Sequence, residues 1–169
     1  MKRRLTILTL TTLAIVAFIS VASTAPSPAL AGGATQISGV GFYDDDVTDV
    51  TCDDSEGAGA DYALVMTGDL EEGCLYTFPD HVTAQSSPSG TYRETGTETF
   101  VASDGSGTFE TTYRFEAKYD LAGGEIFGRC QHPIVEGSGT GIYEGVSGRI
   151  DMKDDIVEVN FPYRGHLRW

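Results

Sequence analysis

The 169-residue sequence predicts an all-β fold, a single antiparallel eight-stranded up-and-down β-barrel, from three features. Residues 107–120 alternate strictly. Phe109, Thr111, Tyr113, Phe115, Ala117 and Tyr119 share one face, and Thr108, Glu110, Thr112, Arg114, Glu116 and Lys118 share the other. A period of two held for so long gives a long strand with one dry and one wet face, the kind that barrels use. After the N-terminal apolar run, no window of about a dozen residues carries a helical period. Short turn segments separate the strand candidates at even intervals: Ser-Asp-Gly-Ser-Gly at 103–107, Ala-Gly-Gly at 122–124 and Ser-Ser-Pro-Ser-Gly at 86–90. Even, short connections favour antiparallel neighbours and a barrel, with a two-sheet sandwich as the alternative.

The first element, residues 1–31, reads as an export signal. Lys2, Arg3 and Arg4 precede a run from Leu5 to Ala22 that is apolar except for threonines and one serine, and Ala29-Leu30-Ala31 forms a cleavage site. A retained membrane anchor is the weaker reading. Pro26 and Pro28 interrupt the helix, and the apolar run is short for a span of about 20 residues. The expected product is a secreted or periplasmic single domain, residues 32–169, with no stable membrane insertion and enough chain for one core.

Strand candidates follow at 36–43, 61–67, 74–78, 90–102, 107–120, 125–135 and 146–152. The last begins at 157. It places Val157, Val159, Phe161, Tyr163, Gly165, Leu167 and Trp169 on one face and Glu158, Asn160, Arg164, His166 and Arg168 on the other. Pro162 falls on the wet side, where it should mark an edge or a bulge because proline cannot donate to a ladder. Asp44, Asp45, Asp46, Asp49, Asp53, Asp54 and Glu56 fill one long irregular stretch. A calcium loop starting at Asp44 would need glycine at its sixth position and glutamate at its twelfth, where Asp49 and Ser55 stand. The stretch therefore reads as a solvated acidic loop, and no metal site is expected.

Residues 32–169 hold 8 Lys and Arg (11 less three in the signal) against 25 Asp and Glu, a net charge of −17. Such a surface repels phosphate backbones and argues against nucleic acid as a partner. Arg164, His166 and Arg168 form an isolated basic stripe, which either pairs with carboxylates of neighbouring strands or meets an anion or partner. Of the three cysteines, Cys52 and Cys74 are the preferred disulfide, tying the acidic loop to the next strand; pairing of Cys130 with either stays open. Cys130 and His132 share a face with Ile126 and Gly128. A thiol beside an imidazole is either a buried structural pair or a candidate nucleophile. His81, after Phe78-Pro79-Asp80, reads as a turn residue. No nucleophile elbow, P-loop, H-E-x-x-H or dinucleotide fingerprint occurs, which argues against hydrolytic and cofactor enzymes.

Residues 139–150, Gly-Thr-Gly-Ile-Tyr-Glu-Gly-Val-Ser-Gly-Arg-Ile, set Gly139, Gly141, Gly145 and Gly148 around Tyr143. The spacing suits a sharp turn into a strand pressed close to another backbone. This segment resembles the GSGIFEGVYGQV-type stretch of plant allene oxide cyclases and, more loosely, the glycine-rich strand of dirigent proteins. A weaker likeness runs from about Ser106 to the C-terminus, where Phe161-Pro-Tyr-Arg-Gly165 follows. The resemblance implies an eight-stranded antiparallel barrel, assembled as dimers or trimers, whose apolar lumen steers the cyclisation or coupling of a reactive intermediate. Only the glycine frame with Tyr143 and Glu144 carries over; the cyclases' glutamate motif on early strands has no counterpart between residues 32 and 79.

The resulting expectation is a secreted barrel that binds a small hydrophobic molecule and guides its cyclisation or coupling. As an enzyme it would be an isomerase or cyclase without a cofactor. Tyr113, Phe115, Cys130, His132 and Tyr163 are the expected lining. The alternative is a non-catalytic exported barrel with a filled interior that presents its surface to a partner.

Overall fold

The computed structural model describes residues 33–46, 52, 57–83 and 90–169. Residues 1–31, expected to be an export signal, Asp49, Asp53, Asp54 and Glu56 of the acidic stretch, and most of the 86–90 turn lie outside the described residues. Eight strands follow one another: β1 (Thr35–Tyr43), β2 (Tyr62–Met66), β3 (Gly73–Thr83), β4 (Thr91–Val101), β5 (Thr108–Tyr119), β6 (Glu125–Pro133), β7 (Ser147–Lys153) and β8 (Phe161–Arg168). Each pairs antiparallel with the next, and β8 closes on β1. The sheet is thus a closed up-and-down barrel, not a sandwich. Closure leaves no strand edge unpaired.

Phe109, Thr111, Tyr113 and Ala117 of β5 point inward and are buried, as the alternation requires. One half of the interior is filled. Phe100 and Phe109 stack at 4.7 Å, and Tyr143 meets them edge-on at 5.7 and 5.1 Å. Such aromatic contacts add about 0.5–1.5 kcal/mol to the area they bury. Tyr143 comes from a 3-10 turn, Gly141–Tyr143, and closes this end. A second 3-10 turn, Gly68–Leu70, closes it from the other side. There the Tyr163 hydroxyl donates to Thr67 O at 2.6 Å and accepts from Leu70 N at 3.2 Å.

The glycine frame turns the chain from that plug into β7. An added Cβ at Gly148 would lie 2.0 Å from His166 O, and the residue holds φ +136°. Only glycine suits that conformation so close to a neighbouring backbone. A smaller cluster of Cys52, Val65, Cys74 and Tyr76 packs outside the sheet. Its Cys52–Cys74 disulfide encloses a sequence separation of 22 and leaves Cys130 free and buried.

Four local expectations change. The final strand starts at Phe161, and Val157 and Val159 are exposed. The chain there turns between Asp155 and Asn160, which bridge each other, while Asp155 Oδ1 accepts from Val157 N and Glu158 N. That aspartate-capped turn outcompetes strand alternation. Trp169 lies past the strand, half exposed, its indole N–H on Ile142 O. Ile126 is exposed because the β5–β6 register skips it, passing from Lys118↔Phe127 to Tyr119↔Glu125. The bulge turns Ile126 outward and Glu125 toward the lumen. β3 continues to Thr83, so His81 is a strand residue opposite Thr95, just after a bulge at Pro79. Pro162 pairs with Val40 of β1, whereas the β7 ladder ends at Met152↔Tyr163, so proline sits where β8 has one neighbour.

Candidate functional site

The other half of the interior is open. A cavity of about 570 Å³ is walled by Leu64, Phe115, Met152 and Phe161 and reaches solvent past Tyr43, Tyr62, Ile156 and Val159. The inner-face row Tyr92, Ala117 and Gly128 explains part of the space, since two of the three side chains are small or absent. Tyr43, Tyr62, Tyr92 and Tyr119 ring the mouth. Tyr43 meets Tyr62 edge-on at 5.9 Å and Phe161 at 5.0 Å, and Tyr92 meets Phe115 at 5.9 Å. Val159 holds φ +54°, a left-handed conformation that β-branched residues rarely adopt.

Two glutamates of β4 occupy the floor. Strand parity puts Tyr92, Glu94, Gly96, Glu98 and Phe100 on the inner face, with Arg93, Thr95 and Thr97 outside. Glu94 Oε1 accepts from the Tyr113 hydroxyl at 2.6 Å and lies 3.5 Å from that of Tyr62; Tyr92 donates to Oε2. Burial and then the Glu94 hydrogen bond hold Tyr92 and Tyr113 well above the usual tyrosine range. All three phenols therefore stay protonated and act as donors. Tyr113 fits beside β4 because residue 96 is glycine: an added Cβ would lie 2.8 Å from its ring.

Glu98 lies two inner-face positions deeper, past Gly96. Its Oε2 takes a hydrogen bond from Thr111 at 2.5 Å and sits 2.6 Å from His132 Nδ1. Thr77 donates to Oε1 at 3.4 Å. Both side chains of the pair are 3% exposed. Burial by itself would lower the imidazole's pKa; the Glu98 carboxylate and then Cys130 outweigh it and push the value up to about 10. His132 is thus an imidazolium in a buried ion pair. Its Nε2 has no hydrogen-bond partner of normal geometry among the described residues. Burial raises the Cys130 thiol, against the pull of His132, the opposite direction from the lowering that activates a cysteine nucleophile.

A second acidic pair stands at the mouth. Asp154 is pushed up to about 7, first by burial, then by its hydrogen bond with Glu125 and that residue's charge. Glu125 Oε1 has no donor among the fixed N–H and O–H groups of the described residues; a proton on Asp154 supplies the one that two facing carboxyls need. Both converge over Gly128, where an added Cβ would come within 2.0 Å of Asp154 and 2.5 Å of Glu125.

Of the residues expected to line a lumen, Phe115, Cys130 and His132 border this cavity. Tyr113 buttresses its floor through Glu94. Tyr163 belongs to the closed end, because Gly39 opposite it leaves room for the ring to lie toward Thr67. Reading the sequence by residue chemistry overlooks Glu94, Glu98, Tyr92, Glu125 and Asp154. The two glutamates carried a usable signal, since they share parity with Phe100. Glu125 and Asp154 carried none: a bulge and a loop place them.

Comparison with known protein families, characterised proteins and solved structures gave no match.

The lining can do specific chemistry. It holds Glu94, Glu98, Glu125, Asp154 and Asp155 against one imidazolium, and no Lys or Arg. It therefore disfavours anions and offers acceptors to a ligand that donates. The Glu125–Asp154 pair can hold or release a proton near neutral pH, the range useful for general acid–base work.

Proposed function

We propose that the barrel binds a small, largely apolar molecule with one hydrogen-bond-donating group, and guides its cyclisation or coupling. The half-open lumen carries this reading: about 570 Å³ is within the range of pockets that take small molecules, roughly 300–1,000 Å³. Aromatic walls hold the apolar body, Glu94 accepts from the polar group, and the Glu125–Asp154 pair moves a proton at the mouth. A confined shape that fixes the reactive conformer supplies the remaining effect. The allene oxide cyclase or dirigent type of barrel, read from the glycine frame at 139–150, accords with a lumen that works mainly by shape. Export through residues 1–31 would place the reaction outside the cytoplasm.

Native mass spectrometry of the protein from its secreting host, followed by denaturing extraction, tests this. The expected result is a co-purifying apolar molecule bearing a hydroxyl or amine. Glu94→Gln should weaken its binding about tenfold or more, as loss of a charge-assisted hydrogen bond does. An empty protein whose Leu64 and Met152 methyl resonances ignore added naphthol would overturn the proposal.

A further inference from the structure

All eight Lys and Arg of residues 32–169 lie on one continuous part of the outer wall. Arg93 is on β4, Arg114 and Lys118 on β5, Arg129 on β6, Arg149 and Lys153 on β7, and Arg164 and Arg168 on β8; every one is exposed. β1, β2 and β3 contain none. The strand registers set them in rows around the barrel. One row runs Arg93, Glu116, Arg129, Lys153. The next runs Thr95, Arg114, Gln131, Asp151, Arg164, Ser38. A third runs Pro133, Arg149, His166, Gln36.

Neighbouring strands are about 4.8 Å apart, so charges within a row are spaced at one to three times that distance. Among the outward-facing strand residues of β4–β8, only Glu110, Glu116 and Asp151 oppose them. Eight cations less three carboxylates leave +5 on the wall of a chain segment with net charge −17. Glu116 takes Arg93 and Arg129, and Asp151 takes Arg149. Arg114, Lys118, Lys153, Arg164 and Arg168 make no ion pair within 4.0 Å among the described residues. A groove of about 140 Å³ opens between Arg114, Glu116, Arg129 and Gln131. The basic stripe at Arg164, His166 and Arg168 is one border of this larger surface.

We propose that this wall binds a linear acidic polysaccharide. Six of the eight cations are arginines, whose forked guanidinium matches carboxylate and sulfate. Gln131 stands between Arg114 and Asp151, and Thr95 and Gln36 end their rows; these side chains offer hydroxyl and amide partners to sugar hydroxyls. The wall spans five strands of a closed barrel and is convex, so a flexible chain can follow it around the curve. A flat bilayer or a rigid duplex would meet only part of it, and the acidic remainder of the molecule repels both anionic lipid and densely spaced phosphates.

Affinity electrophoresis of the intact exported protein through gels containing polygalacturonate tests this. Retardation is expected at low salt and should vanish toward 1 M, where the Debye length is about 3 Å. R114Q/K118Q/K153Q/R164Q/R168Q should weaken binding about tenfold or more, since five exposed charge contacts are lost. The smaller variant R164Q/R168Q should shift it in the same direction and guards against misfolding of the fivefold change. No retardation of the wild type, equal retardation of the fivefold variant with an unchanged melt, or tighter binding to phosphatidylserine vesicles or duplex DNA would each overturn the proposal.

Discussion

Asp154 and His132 both hold protons that the unfolded chain would release. Asp154 titrates near 4 when unfolded and near 7 in the fold. Its contribution to stability is full below about pH 4 and is lost as pH rises through about 7. His132 adds a higher window: its contribution is full below its ordinary value of 6.5 and is lost as pH rises through about 10. Asp154→Asn should therefore flatten the fall in melting temperature between pH 4 and 7 and leave the fall toward pH 10. Parallel wild-type and variant profiles over the lower window would show that no proton is shared there. Glu98 and His132 differ from the mouth pair in being almost completely buried. Removing one partner of such a pair costs about 3–5 kcal/mol, which makes His132 a poor probe of ligand binding and Glu94 a better one. Glu98 was legible as a buried acid from its parity with Phe100; its partner was not, because His132 lies two strands away.

At the scale of elements, two departures from alternation build the mouth. The β5–β6 bulge brings Glu125 inward, and the aspartate-capped turn after β7 carries Asp154, Ile156 and Val159 over the opening. Regular strands would have produced neither. The glycine frame shows the opposite case, where sequence spacing anticipates backbone geometry. Gly148 lies against β8 with no room for a Cβ, whereas an added Cβ at Gly145, at φ +78°, meets nothing within 4 Å. Gly148→Ala should cost roughly 2–3 kcal/mol, since it adds a clash to an unfavourable conformation. Gly145→Ala should cost only about 1–2 kcal/mol, the conformational term by itself. Urea denaturation of the two variants checks the ranking; equal losses would mean that the β7–β8 approach is looser than the backbone contact implies.

For the whole molecule, a plugged end, an open end and an external disulfide cluster define how stability is distributed. The Cys52–Cys74 bridge constrains a loop of about 20 residues, worth roughly 3 kcal/mol in the chain-entropy model. Reduction should lower the melting temperature without opening the barrel, because the bridge packs outside the sheet. Under the same native conditions, Cys130 should resist a thiol reagent, being 8% exposed. It should react at the rate of unfolding. Rapid labelling of Cys130 in the oxidised, folded protein would indicate that the lumen floor opens without global unfolding.

Composition and periodicity by themselves determined that this chain makes long amphipathic strands with short turns, and that the 139–150 segment turns tightly into one of them. Those properties are local: backbone sterics and side-chain alternation act within a few residues. The sequence favoured the Cys52–Cys74 pair, which would tie the acidic loop to the next strand, and left pairings with Cys130 open; the structure forms the favoured one. Only the tertiary structure decided that the sheet closes, that half its interior stays open, and that Glu94, Glu98, Glu125 and Asp154 converge there on His132. It also gathered cations spread from Arg93 to Arg168 onto one wall. Register, bulges and closure set these outcomes, and each depends on pairings between residues far apart in the chain. A single side chain's chemistry encodes none of them.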